Sequence, residues 1–331
     1  MIISRTPYRI SFFGGGSDYP NWYNRYGGEV LSTTIDKYIY ISCRELPNFF
    51  DHNYRVCYSI VEEVKKISQI KHKVVRKALE LEKLKKNLEI HYDGDLPAMS
   101  GMASSSSFIV GLLHTLNTFN YRSLSKKELS KKSVLFEQKI LKEHVGSQDQ
   151  IACSYGGFNF IKFQANNIFK VRKVLPKVSF LNELNKNLIL LYTGKQRTSQ
   201  NIVKKFIKKL TNEKKHEILE IIKCVQEAKV LIKNNSPHDF GRLLHESWII
   251  KKKLNKNISS QNLDHIYEKA MTNGAIGGKI LGAGGGGFFL FYVPYDKKIH
   301  FLKKMNFLTH VPFNFEDGGS KIIYKDDDAK F

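Results

Sequence analysis

The sequence predicts an α+β fold in two domains, and three observations carry that expectation. A strand-like run at 88–92 and a helix-like run at 108–113 flank a Gly- and Ser-rich turn, Asp95-Leu96-Pro97-Ala98-Met99-Ser100-Gly101-Met102-Ala103-Ser104-Ser105-Ser106-Ser107. The second half orders its elements as strand, helix, strand, strand, helix, strand, the pattern of a ferredoxin-like domain. At 331 residues the chain is also longer than one hydrophobic core usually serves. The boundary is expected near 178, giving an N-terminal domain over 1–178 and a C-terminal domain over 179–331.

Residues 1–13 read as a strand, interrupted at Thr6-Pro7 and alternating from Arg9 until Gly14-Gly15-Gly16 breaks it. Ser17-Asp18-Tyr19-Pro20 follows, and a short helix runs on to Tyr26. Residues 29–34 and 38–44 read as a hairpin turning at Ile35-Asp36-Lys37, and 54–59 as a short strand. Val74, Val75, Ala78, Leu79, Leu81 and Leu84 recur at helical spacing over 71–86. A second amphipathic helix covers 126–144 and breaks at Gly146-Ser147-Gln148-Asp149-Gln150, which leaves Asp149 in a polar turn. Residues 158–175 read as a β-meander turning at Asn166-Asn167. A buried strand at 187–192 leads into Thr193-Gly194-Lys195-Gln196-Arg197-Thr198-Ser199, which opens a helix. Residues 202–234, 239–254 and 263–273 read as helices, 275–281 and 288–293 as strands, 297–304 as a helix, and 321–325 as the closing strand.

Composition excludes several classes. No apolar run approaches the roughly 20 residues a membrane span needs. Met1-Ile2-Ile3-Ser4-Arg5-Thr6-Pro7 carries no secretory pattern, and Cys43, Cys57, Cys153 and Cys224 form no C-x-x-C pair. Neither a disulfide framework nor a zinc site is expected, and a reducing cytoplasm fits. The net charge of +22 admits a nucleic-acid partner, a highly anionic substrate, or lysines on solvated helix faces. Glutamates interleave the lysines in several helix-like runs, and there is no Arg-rich arm or aromatic platform. That disfavours nucleic acid and leaves most of the charge to solvated faces, with a small share in a phosphate-rich site.

The chemistry-bearing residues cluster at the glycine-rich turns. A helix N-terminus offers unpaired backbone N–H groups and partial positive charge, so the 100–106 turn suits a phosphate. Its small residues let the phosphate approach, and its hydroxyls add donors and a Mg²⁺ ligand. One serine would suffice for an ordinary N-cap; four in a row favour the phosphate. Asp18 beside polyglycine suits sugar hydroxyls, and it also suits an N-cap for the short helix. Arg9 alternates with apolar neighbours and can point along a cleft or to the surface. Glu137 lies among Leu135, Phe136, Ile140 and Leu141, facing inward or partly solvated. Lys195 and Arg197 occupy a basic turn suited to an anion, or an ordinary loop. Gly282-Ala283-Gly284-Gly285-Gly286-Gly287 matches G-x-G-x-x-G, but a strand follows it where a dinucleotide fingerprint needs a helix. It reads instead as a loop that needs backbone close by.

Three segments together resemble the GHMP family of small-molecule kinases: Pro7-Tyr8-Arg9-Ile10-Ser11-Phe12-Phe13-Gly14-Gly15-Gly16-Ser17-Asp18-Tyr19, then Pro97 to Ser106, then Lys279-Ile280-Leu281-Gly282-Ala283-Gly284-Gly285-Gly286-Gly287. The resemblance spans essentially the whole chain. It implies a ribosomal-protein-like α+β N-terminal domain, a ferredoxin-like C-terminal domain and a cleft site between them. It also implies that Pro97, Ser100, Gly101, Met102, Ala103, Ser104, Ser105 and Ser106 bind ATP, and that Ser105 and Glu137 hold Mg²⁺. Asp149 would orient or deprotonate the attacking hydroxyl with Arg9 beside it. Gly15, Gly16, Ser17, Asp18, Lys195, Arg197, Gly284 and Gly285 would bind the sugar. The first segment and Tyr192-Thr193-Gly194-x-x-Arg197-x-Ser199 are most similar to the members acting on the anomeric hydroxyl of a heptose 7-phosphate. The product would be a sugar 1-phosphate ready for nucleotide activation, as in GDP-heptose biosynthesis. A homodimer is compatible with this reading. Rival expectations are a fucose or unphosphorylated-heptose kinase of the same family, a non-catalytic sugar sensor, and an RNA-binding protein. Two departures stand out: Met102 and Ala103 replace the last two residues of a Gly-Leu-Gly turn, and Phe288 follows the last glycine loop where a small residue is commoner.

Overall fold

The computed structural model describes residues 1–84, 86–195 and 210–326. Two sheets organise it. The larger has nine strands, with β13 (Lys321–Lys325)–β1–β2–β5–β3–β4 as its main path, β6 and β12 (Phe315–Glu316) pairing with β2, and β7 pairing with β6. Its central pair is β1 (Ile2–Phe13) and β2 (Gly28–Glu45), followed by β3 (Tyr54–Cys57), β4 (Val61–Val64), β5 (Leu88–Gly94), β6 (Asn159–Gln164) and β7 (Ile168–Lys173). The smaller sheet is antiparallel, in the order β11–β8–β10–β9, from β8 (Leu188–Tyr192), β9 (Gly277–Ile280), β10 (Phe288–Tyr292) and β11 (Thr309–Val311).

The hairpin expected over 29–44 is one continuous strand of 18 residues. Asp36 and Lys37 do not form its turn, because β1 pairs with β2 on both sides of them, Arg9 with Thr34 and Pro7 with Tyr38. An irregularity in register between Pro7 and Arg9 absorbs the bend. On its other edge β2 pairs with β6 along its first part and with β5 along its last.

The ferredoxin-like order holds, but a different strand closes it. β11 takes that place beside β8. The expected closing strand, β13 (Lys321–Lys325), crosses back to pair with β1, and β12 (Phe315–Glu316) pairs with β2. β12 and β13 therefore belong to the first sheet, where β13 covers the otherwise unpaired edge of β1.

Ten helices are described. α1 (Pro20–Tyr26) opens after the first glycine loop, and α2 (Lys73–Glu82) and α3 (Ser104–Phe119) pack on each other, with α3 lying over β1 and β2. The helix expected over 126–144 stops earlier: α4 (Lys126–Leu135) passes into one π-helical turn, Phe136–Ile140, which carries Glu137. Such turns recur at functional sites. Asp149 lies in the first turn of α5 (Gln148–Tyr155) rather than in a loop. α6 (Val178–Asn187) leads to β8. α7 (Lys215–Lys233) and α8 (Pro237–Leu254) pack together, α8 against β9 and α7 reaching across to β1 and β2. α9 (Gln261–Thr272) and α10 (Lys298–Lys304) complete the second layer. No helix among the described residues is long and apolar enough to cross a membrane.

The two glycine-rich loops lock against each other. Gly101 has φ +84°, and a Cβ there would lie 2.7 Å from the Leu281 carbonyl oxygen. Gly287 has φ +90°, and its Cβ would lie 2.1 Å from the Ser100 carbonyl oxygen. The last glycine run thus brings backbone against the phosphate-loop backbone. Gly287→Ala combines a left-handed penalty with a backbone clash, and is expected to cost about 2–4 kcal/mol. A urea unfolding midpoint unchanged from wild type would contradict that packing.

Candidate active site

A cleft of about 660 Å³ opens where the sheets meet, lined from both halves of the chain. The first half supplies Arg9, Ser11, Gly15, Gly16, Asp18, Gly101, Ala103, Ser104, Ser105, Ser106, Glu137 and Asp149. The second supplies Ile221, Ser247, Lys251, Lys279, Gly282, Ala283, Gly284 and Gly286.

The Ser-rich turn caps α3 with its backbone. Ala103 holds the N-cap position at φ 66° and ψ 26°, a left-handed conformation adopted without glycine. The left-handed strain costs on the order of 1 kcal/mol. Burial of the Ala103 methyl and of the Met102 side chain in the core offsets it, at about 0.8 kcal/mol per methylene-sized group. The Ser104 hydroxyl accepts from the Met99 N–H at 3.1 Å and fixes the turn.

Ser105 and Ser106 divide differently from the expectation. Ser105 is exposed in the cleft, whereas Ser106 donates to Glu137 Oε2 at 2.8 Å. Successive residues of a helix point about 100° apart, so only one of the two can meet the π-turn carboxylate. The Gln150 amide donates to the same Oε2. Glu137 Oε1 is buried without a hydrogen-bond partner among the described residues. Burial, the larger cause, pushes the Glu137 carboxyl up to about 8. An orphaned, desolvated carboxylate oxygen beside a hydroxyl fits a hard cation, with Ser106 in the place expected for Ser105.

Arg9 and Asp149 meet across 140 residues of sequence. Arg9 Nε donates to Asp149 Oδ1 at 2.9 Å and Nη2 to the same oxygen at 2.6 Å. Nη1 donates to the Gly101 carbonyl at 2.9 Å, which ties the pair to the phosphate loop. Oδ2 carries no hydrogen bond among the described residues.

Asp18 does not cap α1; its N-cap is Tyr19, whose side chain makes no capping hydrogen bond. The buried carboxylate accepts from the Gly16 N–H at 2.9 Å and from the Gln148 N–H at 3.4 Å. Burial, and after it the nearby Asp149, push Asp18 up to about 6. The folded protein therefore holds this proton more tightly than the unfolded chain. Stability assigned to Asp18 is complete below the unfolded value of 3.8 and declines as pH rises to about 6. Relative to Asp18→Asn, wild type is expected to lose about 3 kcal/mol across that window. Parallel slopes of the two melting curves against pH would contradict this.

Other expected residues fall outside the cleft. Ser17 gives its hydroxyl to the Gly14 and Glu29 carbonyls at 2.8 and 3.1 Å, so it shapes the loop instead of lining the cavity. Ser100 and Met102 are buried beneath the turn, and Pro97 is not in the lining. Gly284 lines the cleft, but Gly285 turns its N–H to the Ile258 carbonyl at 2.8 Å. The Lys195 side chain is exposed and its carbonyl accepts the Gly287 N–H, while Arg197 lies outside the described residues. Phe288 is buried in β10.

Sequence reasoning missed an aromatic end of the cleft built by Tyr58, His72, Tyr92 and Phe108. Their rings meet edge-on or tilted, Tyr58 to His72 at 4.7 Å, His72 to Phe108 at 5.3 Å and Tyr92 to Phe108 at 5.0 Å. Each comes from a different element, so no local spacing announces them. Gln148, Gln150 and Lys279 were also missed, although Lys279 begins the third segment.

The same architecture appears in known proteins. The GHMP kinases N terminal domain matches residues 68–157, and the GHMP kinases C terminal region matches 228–305. The chain belongs to the GHMP kinase family. It is similar to D-glycero-alpha-D-manno-heptose 7-phosphate kinase of Campylobacter jejuni, 31% identical over 92% of this chain and 93% of that one. Mevalonate kinase of Methanocaldococcus jannaschii is 30% identical over 67% of each chain. Among solved structures, a D-glycero-D-manno-heptose 1-phosphate kinase from Bacteroides thetaiotaomicron superposes with a TM-score of 0.80. It covers 99% of this chain and 100% of that one, and its 23% identity speaks to fold alone.

Proposed function

We propose that this protein is an ATP-dependent kinase that phosphorylates the anomeric hydroxyl of D-glycero-D-manno-heptose 7-phosphate, yielding the 1,7-bisphosphate. The observation that carries the reading is the Arg9–Asp149 pair, tied to the phosphate loop and opening on a cleft with Asp18 and Gly16. Similarity to the Campylobacter jejuni heptose 7-phosphate kinase along nearly its whole length supports the choice of sugar.

In this reading the aromatic end receives adenine, and the backbone N–H groups at the head of α3 receive the phosphates. His72 accepts the Val75 N–H at Nδ1, 3.3 Å, and burial pushes its pKa down, so the ring is neutral beside the base. Ser106 and Glu137 would hold Mg²⁺, which when bound neutralises phosphate charge. Asp18 and the Gly15–Gly16 backbone orient the sugar. Asp149 takes the hydroxyl proton at its open oxygen, while Arg9 fixes the carboxylate and offsets charge beside it. Phosphoryl transfer needs little more, because positioning and electrostatics supply most of the rate. The anomeric hydroxyl is more acidic than an ordinary alcohol, so a modest base suffices.

ADP release from Mg-ATP with heptose 7-phosphate, free heptose, mannose, fucose and galactose tests the reading. Turnover led by heptose 7-phosphate is the expected result. A preference for a free sugar would overturn the substrate, and no turnover with any sugar would overturn the activity.

A further inference from the structure

Lys279 is the cleft residue whose charge nothing described neutralises. It stands on β9, is 5% exposed, and lines the cavity. An ammonium has three N–H donors. Among the described residues Lys279 uses one of them, on the Phe12 carbonyl, and forms no ion pair. Near it lie the Phe13 ring, 5.8 Å from Nζ, and the Cys224 thiol and Arg9 guanidinium, both within electrostatic reach. None of these carries negative charge at neutral pH. Burial pushes its pKa down to about 8, the direction expected of an ammonium removed from water without a counter-ion. A buried cation is retained where an anion completes it. Lys251, on the same wall, differs: it donates to the Ile280 and Gly282 carbonyls at 2.8 and 2.7 Å and ties down the glycine loop.

Position says which anion fits. Phe12 lies two residues before the Gly14–Gly16 loop, and Cys224 lies on α7 one turn from Ile221, which lines the cleft. Lys279 therefore faces the acceptor end, with Asp18 and Gly16, and not the aromatic end. Arg9 lies near it but is already committed to Asp149 and Gly101. Lys195, the lysine expected to meet the acceptor's phosphate, is not in the lining.

We infer that Lys279 binds the phosphate which the sugar acceptor already carries, and so makes the enzyme prefer a phosphorylated acceptor to a free sugar. The inference rests on the proposed function, because it needs an anionic acceptor. Lys279 acts as a specificity residue that touches substrate. It pre-forms an anion site that an uncharged sugar leaves unfilled.

The test compares wild type, Lys279→Met and Lys279→Arg in steady state with heptose 7-phosphate and free heptose. For Lys279→Met the expected result is a rise in KM for heptose 7-phosphate of about thirtyfold or more, the scale of removing one partner of a buried charge pair. KM for ATP and kcat/KM for free heptose are expected to stay within about twofold, and Lys279→Arg to keep most of the preference, because the head-group charge is retained. A preference that survives in Lys279→Met, or an equal rise in KM for ATP, overturns the inference alone. Wild type with no preference for the phosphorylated sugar overturns the proposed substrate first. A second measurement needs no variant. Heptose 7-phosphate is expected to slow carbamylation of Lys279 by cyanate, read by mass spectrometry, and free heptose is not. Equal protection by both sugars overturns the inference.

Discussion

Asp149→Asn is expected to lower kcat by about 10²–10⁴-fold with both KM values nearly unchanged, the range for removing a positioned general base. Asparagine keeps the shape and can still accept from Arg9, whose two bonds both fall on Oδ1. What disappears is a basic oxygen facing the acceptor hydroxyl. Asp149 also lies within the first turn of α5, so the exchange leaves the helix backbone and its packing on α4 in place. Rapid-quench measurement of the first turnover separates chemistry from product release. A kcat within tenfold of wild type would show that Asp149 only orients the hydroxyl.

Glu137→Gln carries the second large expectation. The amide preserves volume and can accept from Ser106, but it offers no negative charge to a divalent ion. kcat/KM for Mg-ATP is expected to fall on the order of a hundredfold or more, since a charge-neutralising ligand is removed. Stability is expected to move the other way. Above pH 8 Glu137 is a wholly buried carboxylate with one oxygen unsatisfied, so there a neutral side chain removes a desolvation penalty. Without divalent ions at that pH the variant melts above wild type; adding Mg²⁺ raises the wild-type midpoint and leaves the variant's alone. Equal Mg²⁺ shifts in both would remove Glu137 from the metal site.

Much of this site was legible because turn chemistry is local. Gly14-Gly15-Gly16, the Ser-rich turn and the last glycine loop announce themselves in a few residues each, and the structure brings all three to one cleft. Arg9, Asp18 and Glu137 could be named because each is a charge among apolar or glycine neighbours, and Asp149 because it lies in the polar turn where a helix pattern breaks. That Ser106 and not Ser105 bonds Glu137 was not legible, for a physical reason. α3 is apolar nearly all round, from Phe108 to Leu113, so its sequence does not show which face meets the π-turn. β2 was split in two because Asp36-Lys37 reads as a turn when alone, and only its pairing with β1 keeps it extended. Lys279 was passed over as one more lysine in a Lys-rich chain. Its burial, which distinguishes it from the rest, is a tertiary fact.

The return of β13 to β1 has a consequence for how the protein is made. β1 leaves the ribosome before every other described strand, yet one of its two edges is covered only when Lys321–Lys325 emerges. Through most of translation the nascent chain carries an open strand edge, which invites wrong pairings. Its long sequence separation also makes this pairing a late, slow step of folding. A chain stopped after β11 would hold every cleft residue and still lack that strand. Such a fragment would leave that edge of β1 open to aggregation, which the pairing with β13 prevents.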